Sequence, residues 1–168
     1  TDKSATAAIA QVIKDNLVAA NETLTNVTKD IYTGTINAST LKGAYIINLV
    51  AKDKYNNTAI AKGVAGVAIR AEKAAVKDFA LNSTQKAVLR LTNTTTIELT
   101  GKAEQSATGK LIIAEHKNDI RNSTKPSGKR ELQKYVEVEA DEGLKSNVSL
   151  ATLRVSYTDE EVLAANIS

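Results

Sequence analysis

The sequence predicts an all-β protein, mainly two antiparallel β-sandwich modules with at most one or two short helices. Alternating polar and apolar positions dominate the chain, which is typical of strands with one buried and one solvated face. Turn-forming residues separate these stretches at spacings of about 8 to 15 residues, which favours a β-sandwich over a βαβ arrangement. The 168 residues, 42% of them hydrophobic and 24% charged, allow one large globular domain or two small ones.

The first part of the chain has the pattern of an antiparallel meander. Residues 31–36 are rich in β-branched and aromatic side chains, and residues 44–51 form a mostly apolar stretch that is short for a helix. Turn formers at residues 37–43 lie between these two stretches. An Asx-rich hairpin turn at residues 53–57 leads into a further strand at residues 58–69. We therefore expect successive antiparallel strands up to residue 69.

Two segments are ambiguous between helix and strand. Residues 4–20 are rich in alanine and fit either a helix or two strands separated by a break at residues 14–16. Residues 71–79 fit either a short helix or a linker into a strand. We expect residues 4–13 to include an edge or donated strand whose deletion disrupts folding or assembly. A module boundary near residue 71 divides the chain into a first module at residues 1–71 and a second at residues 72–168.

The second module has five strand candidates and one clear helix start. Residues 135–139 and 153–157 alternate cleanly, which predicts strands with one buried and one wet face. Thr158 and Glu161 have the spacing of a capping box and predict a short helix at residues 159–165. Residues 115–134 form the most hydrophilic stretch and predict an exposed, mobile loop. The five strand candidates are residues 87–91, 95–99, 110–114, 135–139 and 151–157.

Asparagine is followed two places later by serine or threonine far more often than chance predicts. With 13 asparagines and 29 serines and threonines among 168 residues, random placement would give about two such sequons. The chain has nine. Clustering of these residue types in turns is the alternative explanation, and it would about double the expected number. The candidate N-glycosylation sites are Asn21, Asn26, Asn37, Asn56, Asn82, Asn93, Asn122, Asn147 and Asn166.

A sequon is glycosylated only if its asparagine side chain reaches solvent and the chain has entered a glycosylating compartment. The sequons are spread along the whole chain, so they predict a coat of N-linked glycans. The sequence therefore predicts an extracellular, cell-surface protein.

Composition excludes several classes of function. Cysteine is absent and histidine occurs once, so disulfide frameworks, thiolate chemistry and multi-histidine metal sites are excluded. The net charge of +3 arises from interspersed charges and the aromatics are few, so we expect no nucleic-acid partner. No apolar run approaches the roughly 20 residues that cross a bilayer. The first residue opens no signal peptide, so we expect a soluble, mature or excised piece.

Catalytic chemistry finds little support in the residues. His116 lies beside Glu115 and near Asp119, which fits a general base oriented by a carboxylate, but a solvated loop histidine explains it better. No G-x-S-x-G elbow and no phosphate-binding glycine motif is present. We therefore predict that the protein is not an enzyme and has no cofactor.

The acidic residues suggest calcium as the one candidate metal, because calcium takes several oxygen ligands in flexible geometry. Sheet alternation explains the acidic residues near residue 137, and helix capping explains those at residues 159–161. The remaining candidates lie in turns between strands. The acidic groups considered are Glu137, Glu139, Asp141 and Glu142, then Asp159, Glu160 and Glu161, then Asp15 and Asp53 with Asn56.

Residues 32–37 (YTGTIN) and 43–57 (GAYIINLVAKDKYNN) resemble the latter half of an extracellular immunoglobulin-like module. Such modules often carry a G-x-Y-x-v-x-v-x-A-x-D-x-x-G-N hairpin, and here Asn56 stands at the glycine position. Asparagine tolerates the left-handed turn conformation that this position requires. The resemblance covers about residues 5–70 and implies an immunoglobulin-like first module.

Residues 134–138 (KYVEV) and 151–162 (ATLRVSYTDEEV) are similar to a β-rich domain of archaeal, especially methanogen-like, cell-surface proteins, including the PGF-pre-PGF type. That family implies large secreted glycoproteins with structural or adhesive roles and no catalytic residues. Its domains usually continue past the short helix into another strand, whereas this chain stops at Ser168. We therefore expect the second module to be incomplete, or to receive a strand from a neighbouring chain.

Together these observations predict an extracellular structural glycoprotein of an archaeal surface layer, sheath or filament. Such a subunit would self-associate into a homopolymer or lattice through β-strand edges or strand donation. The alternative is an adhesin or carbohydrate-binding module on a cell-surface stalk.

Overall fold

The computed structural model describes residues 5–28, 31–84, 86–102, 106–121 and 132–165. Strands make up 61% of the structure and helices 8%, in two short helices, and the sheets are antiparallel. This confirms the predicted all-β, sandwich-like fold class. Within the described ranges, no helix is long and apolar enough to cross a membrane.

Sheet 1 is built from residues up to Ile69. Its five strands lie in the order β3-β2-β1-β4-β5, and neighbours in this order are antiparallel. β1 therefore lies inside the sheet between β2 and β4, so the expectation of an edge strand near the start of the chain is wrong. The strands are β1 (Ala7–Lys14), β2 (Leu17–Thr28), β3 (Ile31–Thr33), β4 (Gly43–Lys52) and β5 (Thr58–Ile69).

The remaining strands form two three-stranded sheets. Sheet 2 has the order β10-β9-β6, and sheet 3 has the order β11-β8-β7. The change of sheet falls at the predicted boundary near residue 71, while independent folding of the two parts stays a prediction. The elements are β6 (Lys73–Leu81), β7 (Ala87–Arg90), β8 (Thr95–Gly101), β9 (Ala107–His116), β10 (Tyr135–Ala140), α1 (Glu142–Asn147), β11 (Val148–Val155) and α2 (Asp159–Ala164).

Sheet 2 is the central layer, because successive residues of β9 belong to different cores. Leu111 and Ile113 pack in the core shared with sheet 3, beside Leu81 and Ile97. Ile112, between them in sequence, packs against sheet 1. Side chains alternate between the two faces of a strand, so β9 buries both of its faces.

The ambiguous first segment forms a hairpin because two residues in its turn adopt left-handed backbone. Asp15 has φ 50° and Asn16 has φ 62°, between β1 and β2. Successive positive φ values in a two-residue loop match the twist of the flanking strands, and Asp and Asn tolerate them. The two-strand interpretation of residues 4–20 is thus confirmed for the described residues. Of residues 71–79, which were expected to form a short helix or a linker into a strand, residues 73–79 already belong to β6.

The predicted hairpin turn between β4 and β5 is held by one carboxylate. Asp53 accepts hydrogen bonds from the backbone N–H of Tyr55 (2.8 Å) and Asn57 (2.9 Å) and from the Asn57 side chain (2.8 Å). These bonds, with the Asn57 side chain first, lower the pKa of Asp53 below its ordinary value. Asn56 has φ 64°, so asparagine does occupy the left-handed position inferred from the hairpin pattern.

The sequence predicts one of the two helices, α2, but not the other, α1. α2 has the predicted capping box, in which Thr158 and Glu161 each bind the other's backbone N–H. The N–H of Thr158, and next Lys134, lower the pKa of Glu161. α1 is absent from the sequence prediction because it is six residues long, includes a glycine, and begins in an acidic stretch that looks like a turn.

Candidate functional site

Seven of the nine sequon asparagines lie within the described residues, and none of the seven is fully buried. Asn122 and Asn166 lie outside the described residues. Asn82 and Asn147 are half-buried. The exposed ones are Asn21 and Asn26 on β2, Asn37 in the segment before β4, Asn56 in the β4–β5 turn and Asn93 in the β7–β8 turn.

The two half-buried sequons differ at the amide that a glycan would modify. At the first, Asn82 Oδ1 accepts hydrogen bonds from the backbone N–H and the hydroxyl of Thr84, both at 3.1 Å. At the second, Asn147 Nδ2 donates to the carbonyl of Gly143 at 2.9 Å, which ties this amide to α1. The hydroxyl of Ser149, which completes the Asn147 sequon, donates to the Gly101 carbonyl at 2.9 Å. Both polar groups of that sequon are therefore engaged within the fold.

We expect the sequons of native material to differ in occupancy. Glycopeptide mapping should find Asn21, Asn26, Asn37, Asn56 and Asn93 modified more completely than Asn147, whose amide nitrogen is bound to α1. Equal occupancy at Asn147 and Asn93 would show that this geometry does not limit modification. An intact mass equal to that of the bare polypeptide would show that no sequon carries a glycan.

The two edges of sheet 1 carry different surfaces. The β2–β3 side carries Asn21 and Asn26, both exposed on β2. The opposite edge is β5, a twelve-residue strand with Lys62 as its one charged side chain. Ile60 is 56% exposed and Val64 42% exposed on this strand. Within the described residues, β5 pairs with β4 on one side and with no strand on the other.

A buried ionic cluster lies where sheet 1 meets sheet 2. Glu137 on β10, with 3% of its side chain exposed, accepts a hydrogen bond from the backbone N–H of Ala44 at 2.7 Å. Lys14 Nζ lies 2.6 Å from Glu137 Oε1, and His116 Nε2 lies 3.5 Å from Glu137 Oε2. Arg121 approaches the same carboxylate to 3.9 Å from the surface. We call Lys14, Glu137, His116 and the Ala44 N–H the Glu137 cluster.

This cluster corrects two expectations about solvent exposure. His116 is the last residue of β9 and only 2% exposed, so its interpretation as a solvated loop residue is wrong. Glu137 and Glu139 are buried, at 4% and 2% exposure, rather than on a wet face of β10. The alternation itself is present, but sheet 1 covers the face that was expected to be wet. Lys14 pairs with Glu137, and Lys145 pairs with Glu139.

The turn carboxylates Asp15 and Asp53 do not form a joint calcium site. They follow the ends of β1 and β4, which are antiparallel, so they lie at opposite ends of this strand pair, roughly 30 Å apart. Asp141 instead accepts hydrogen bonds from the N–H groups of Lys110 (2.7 Å) and Leu144 (2.9 Å) as the cap of α1. No group of three or more acidic or histidine side chains suited to a metal occurs in the part of the chain that the structure describes.

A cleft of about 690 Å³ lies between sheet 1 and sheet 2. Ile13, Asn16 and Asn48 line it from sheet 1, and Asp78 and Thr108 from sheet 2. The ion pair of Lys62 and Glu142, at 3.0 Å, joins residues on its two sides. The cleft mixes amide, hydroxyl, carboxylate and apolar groups and is within the size range of small-ligand sites.

Comparison with known proteins adds no relative: no protein-family model matches the chain, and neither a curated protein nor a solved structure is significantly similar to it.

Proposed function

We propose that this chain is an extracellular structural glycoprotein, a subunit of an archaeal surface layer, sheath or filament that assembles through β-strand edges. The observation that carries the proposal is the β5 edge, which is long, almost uncharged and without a sequon asparagine, although its first residue, Thr58, completes the Asn56 sequon. The archaeal and cell-surface parts of the proposal rest on the sequence resemblance and on the nine sequons.

An exposed edge strand is a template for pairing with another chain, and proteins that stay monomeric usually blunt such edges with charges, prolines or bulges. β5 has one lysine in twelve residues and no proline, although a register shift near Gly63 (φ 62°) bends it. The opposite side of sheet 1 would carry glycans on Asn21 and Asn26, which would obstruct pairing there. These features favour β5 as an edge that a neighbouring subunit covers.

An open polymer requires two different contact surfaces on each subunit. β11 is the second candidate edge, because it lies at the end of sheet 3 and has Arg154 as its one charged residue. Leu150 and Leu153 on this strand are 59% and 44% exposed. β6, by contrast, contains Lys73, Lys77 and Asp78. Pairing of β5 with β11 of the next subunit would satisfy the free backbone groups of both edges.

Lysine substitutions on β5 test the proposal. We expect the double variant Ile60→Lys with Val64→Lys to remain monomeric under conditions where the unaltered protein forms particles of polymer mass. The reason is that charges on an edge strand oppose edge-to-edge pairing. Sedimentation velocity and negative-stain electron microscopy would measure the assembly. The matched control is Val88→Lys on the four-residue strand β7, where Val88 is 48% exposed. Assembly of the double variant at the same rate as the control would contradict this role of β5.

The cleft between sheets 1 and 2 favours a second candidate function, binding of a saccharide by an adhesin or carbohydrate-binding module. Its amide, hydroxyl and carboxylate groups are the types that recognise sugar hydroxyls. A native protein that stays monomeric and binds oligosaccharides, with affinity lost in Asn48→Ala, would favour this function over the structural one.

A further inference from the structure

Lys14 and Glu137 are placed as the partners of a covalent cross-link. We propose that they form an isopeptide bond, an amide between the Lys14 side-chain nitrogen and the Glu137 side-chain carboxyl carbon, with His116 as the assisting group. The amine nitrogen lies 2.6 Å from Glu137 Oε1. The bond would join β1 of sheet 1 to β10 of sheet 2. It does not depend on the proposed function.

The surroundings of the pair exclude most of the solvent. Glu137 and His116 have side chains 3% and 2% exposed, and the Lys14 side chain is 20% exposed. Ala44, Ile46 and Ile112 form an apolar cluster where these sheets meet. Burial in such surroundings penalises separate charges more than it penalises an amine beside a carboxylic acid. A neutral amine is also the form that can act as a nucleophile.

Gly43 provides the space in which the two side chains meet. A Cβ at this position would overlap both the Lys14 amine nitrogen and a Glu137 carboxylate oxygen. Its backbone has φ 93°, which side chains rarely allow. The two reacting groups therefore converge on a point that only glycine leaves open.

The reaction balances without any further reagent. The Lys14 ammonium passes one proton to Glu137 Oε1, which gives an amine and a carboxylic acid. The amine nitrogen attacks Cδ, so the C–N bond forms and the Cδ–Oε2 π bond breaks, which leaves a negative charge on Oε2 and a positive charge on the nitrogen. A second proton then moves from nitrogen to the Oε1 hydroxyl, the Cδ–Oε1 bond breaks, and one water leaves. The negative charge on Oε2 returns to form the amide carbonyl.

Two groups face the oxygen that carries this negative charge. The Ala44 N–H donates to Oε2 at 2.7 Å, and His116 Nε2 lies 3.5 Å from the same atom. His116 Nδ1 lies 3.2 Å from the Arg70 carbonyl, which can only accept, so Nδ1 carries a hydrogen. Nε2 has no hydrogen-bond partner in the described structure, and it donates to Oε2 only when the ring carries a second proton. The Ala44 N–H, joined by Nε2–H of a protonated His116 ring, would then stabilise the developing oxyanion.

Two other lysine–carboxylate pairs serve as internal comparisons. Lys110 lies 2.6 Å from Asp78, whose side chain is 76% exposed, so solvent stabilises the charged pair there. Lys145 contacts buried Glu139, but no imidazole or backbone N–H faces that carboxylate among the described residues. We therefore expect the cross-link at Lys14–Glu137 and at neither of the other pairs.

Mass spectrometry tests the proposal directly. We expect the full 168-residue chain, produced without glycosylation, to lose about 18 Da, one water, after it folds. Proteolysis and fragmentation should yield one branched peptide that joins Lys14 to Glu137. Lys14→Arg keeps the positive charge but has no nucleophilic amine, so it should have the full mass. His116→Gln should reduce the cross-linked fraction at a fixed time by about tenfold or more.

Each alternative outcome overturns a stated part of the proposal. A full-mass protein with native circular dichroism after prolonged incubation at neutral pH excludes the bond. A loss of water that maps to Lys145–Glu139 or to a backbone imide excludes this site. Unchanged yield in His116→Gln, with the bond still at Lys14–Glu137, excludes the role of His116. None of these results depends on polymer formation, so this proposal and the proposed function fail separately.

Discussion

Replacing Glu137 with alanine is expected to lower the free energy of unfolding by about 3–5 kcal/mol, because it leaves a partly buried charge without its partner. Lys14 would lose the carboxylate 2.6 Å away, and the Ala44 N–H would lose its acceptor inside the interface between sheets 1 and 2. If the cross-link forms, the same change removes it as well, which adds to the loss. Urea denaturation followed by circular dichroism measures the effect.

Glu142→Ala is the matched control for this prediction. Glu142 also pairs with a lysine, Lys62 at 3.0 Å, but both side chains are well over half exposed. Exposed ion pairs contribute about 0–1 kcal/mol, so the control should unfold close to the unaltered protein. Equal stability of the two variants would show that the Glu137 cluster does not hold sheet 1 to sheet 2.

Ile112→Ala is expected to destabilise the fold by about 2–5 kcal/mol through loss of buried volume and the cavity left behind. Ile112 is fully buried and packs against Ala44 and Ile46 of sheet 1 from the central sheet. Its δ-methyl group would also lie 2.8 Å from any Cβ added at Gly66, so the two sheets are in close contact here. The lost free energy of unfolding should therefore come mainly from the contact between sheet 1 and sheet 2.

The coupling is checked by following unfolding with two probes. Tyr45 lies in sheet 1, and Phe79 lies in sheet 2, so replacing either with a fluorescent or isotope-labelled analogue reports one part. In Ile112→Ala the two transitions should separate, while in the exposed control Val88→Ala they should coincide. Coincident transitions together with a loss below about 1 kcal/mol would contradict the importance of this contact.

The sequence predicted the local parts of the fold well. The β4–β5 hairpin, the left-handed Asn56 and the capping box of α2 each depend on residues within a few positions of one another. The chemistry of such turns and caps can be read directly from neighbouring residues. At residues 4–20 the sequence left helix and strand open, and the left-handed turn at Asp15 and Asn16 in the structure decides for two strands.

The non-local parts could not be predicted in the same way. Burial of His116 and Glu137 follows from sheet 1 packing over the central sheet, which no pattern within residues 115–139 indicates. The Glu137 cluster joins residues that are 93 positions apart in the Ala44 contact.

The sequence predicts where the sequons lie, and only the structure shows the surroundings of each one. Five of the seven described sequon asparagines are exposed, but Asn147 is the last residue of α1, a helix that the sequence did not predict, and its amide donates to Gly143 of that helix. Glycan occupancy itself stays a prediction for all nine positions.

The position of the Glu137 cluster has a mechanical consequence for a protein under tension. Sheet 1 and sheet 2 are connected along the backbone through residues 70–72, a short stretch between β5 and β6. The cluster joins the same two sheets through β1 and β10, so a pulling force has a second path that bypasses this stretch. A covalent bond between Lys14 and Glu137 would let the connection between the two sheets bear load until backbone hydrogen bonds elsewhere break.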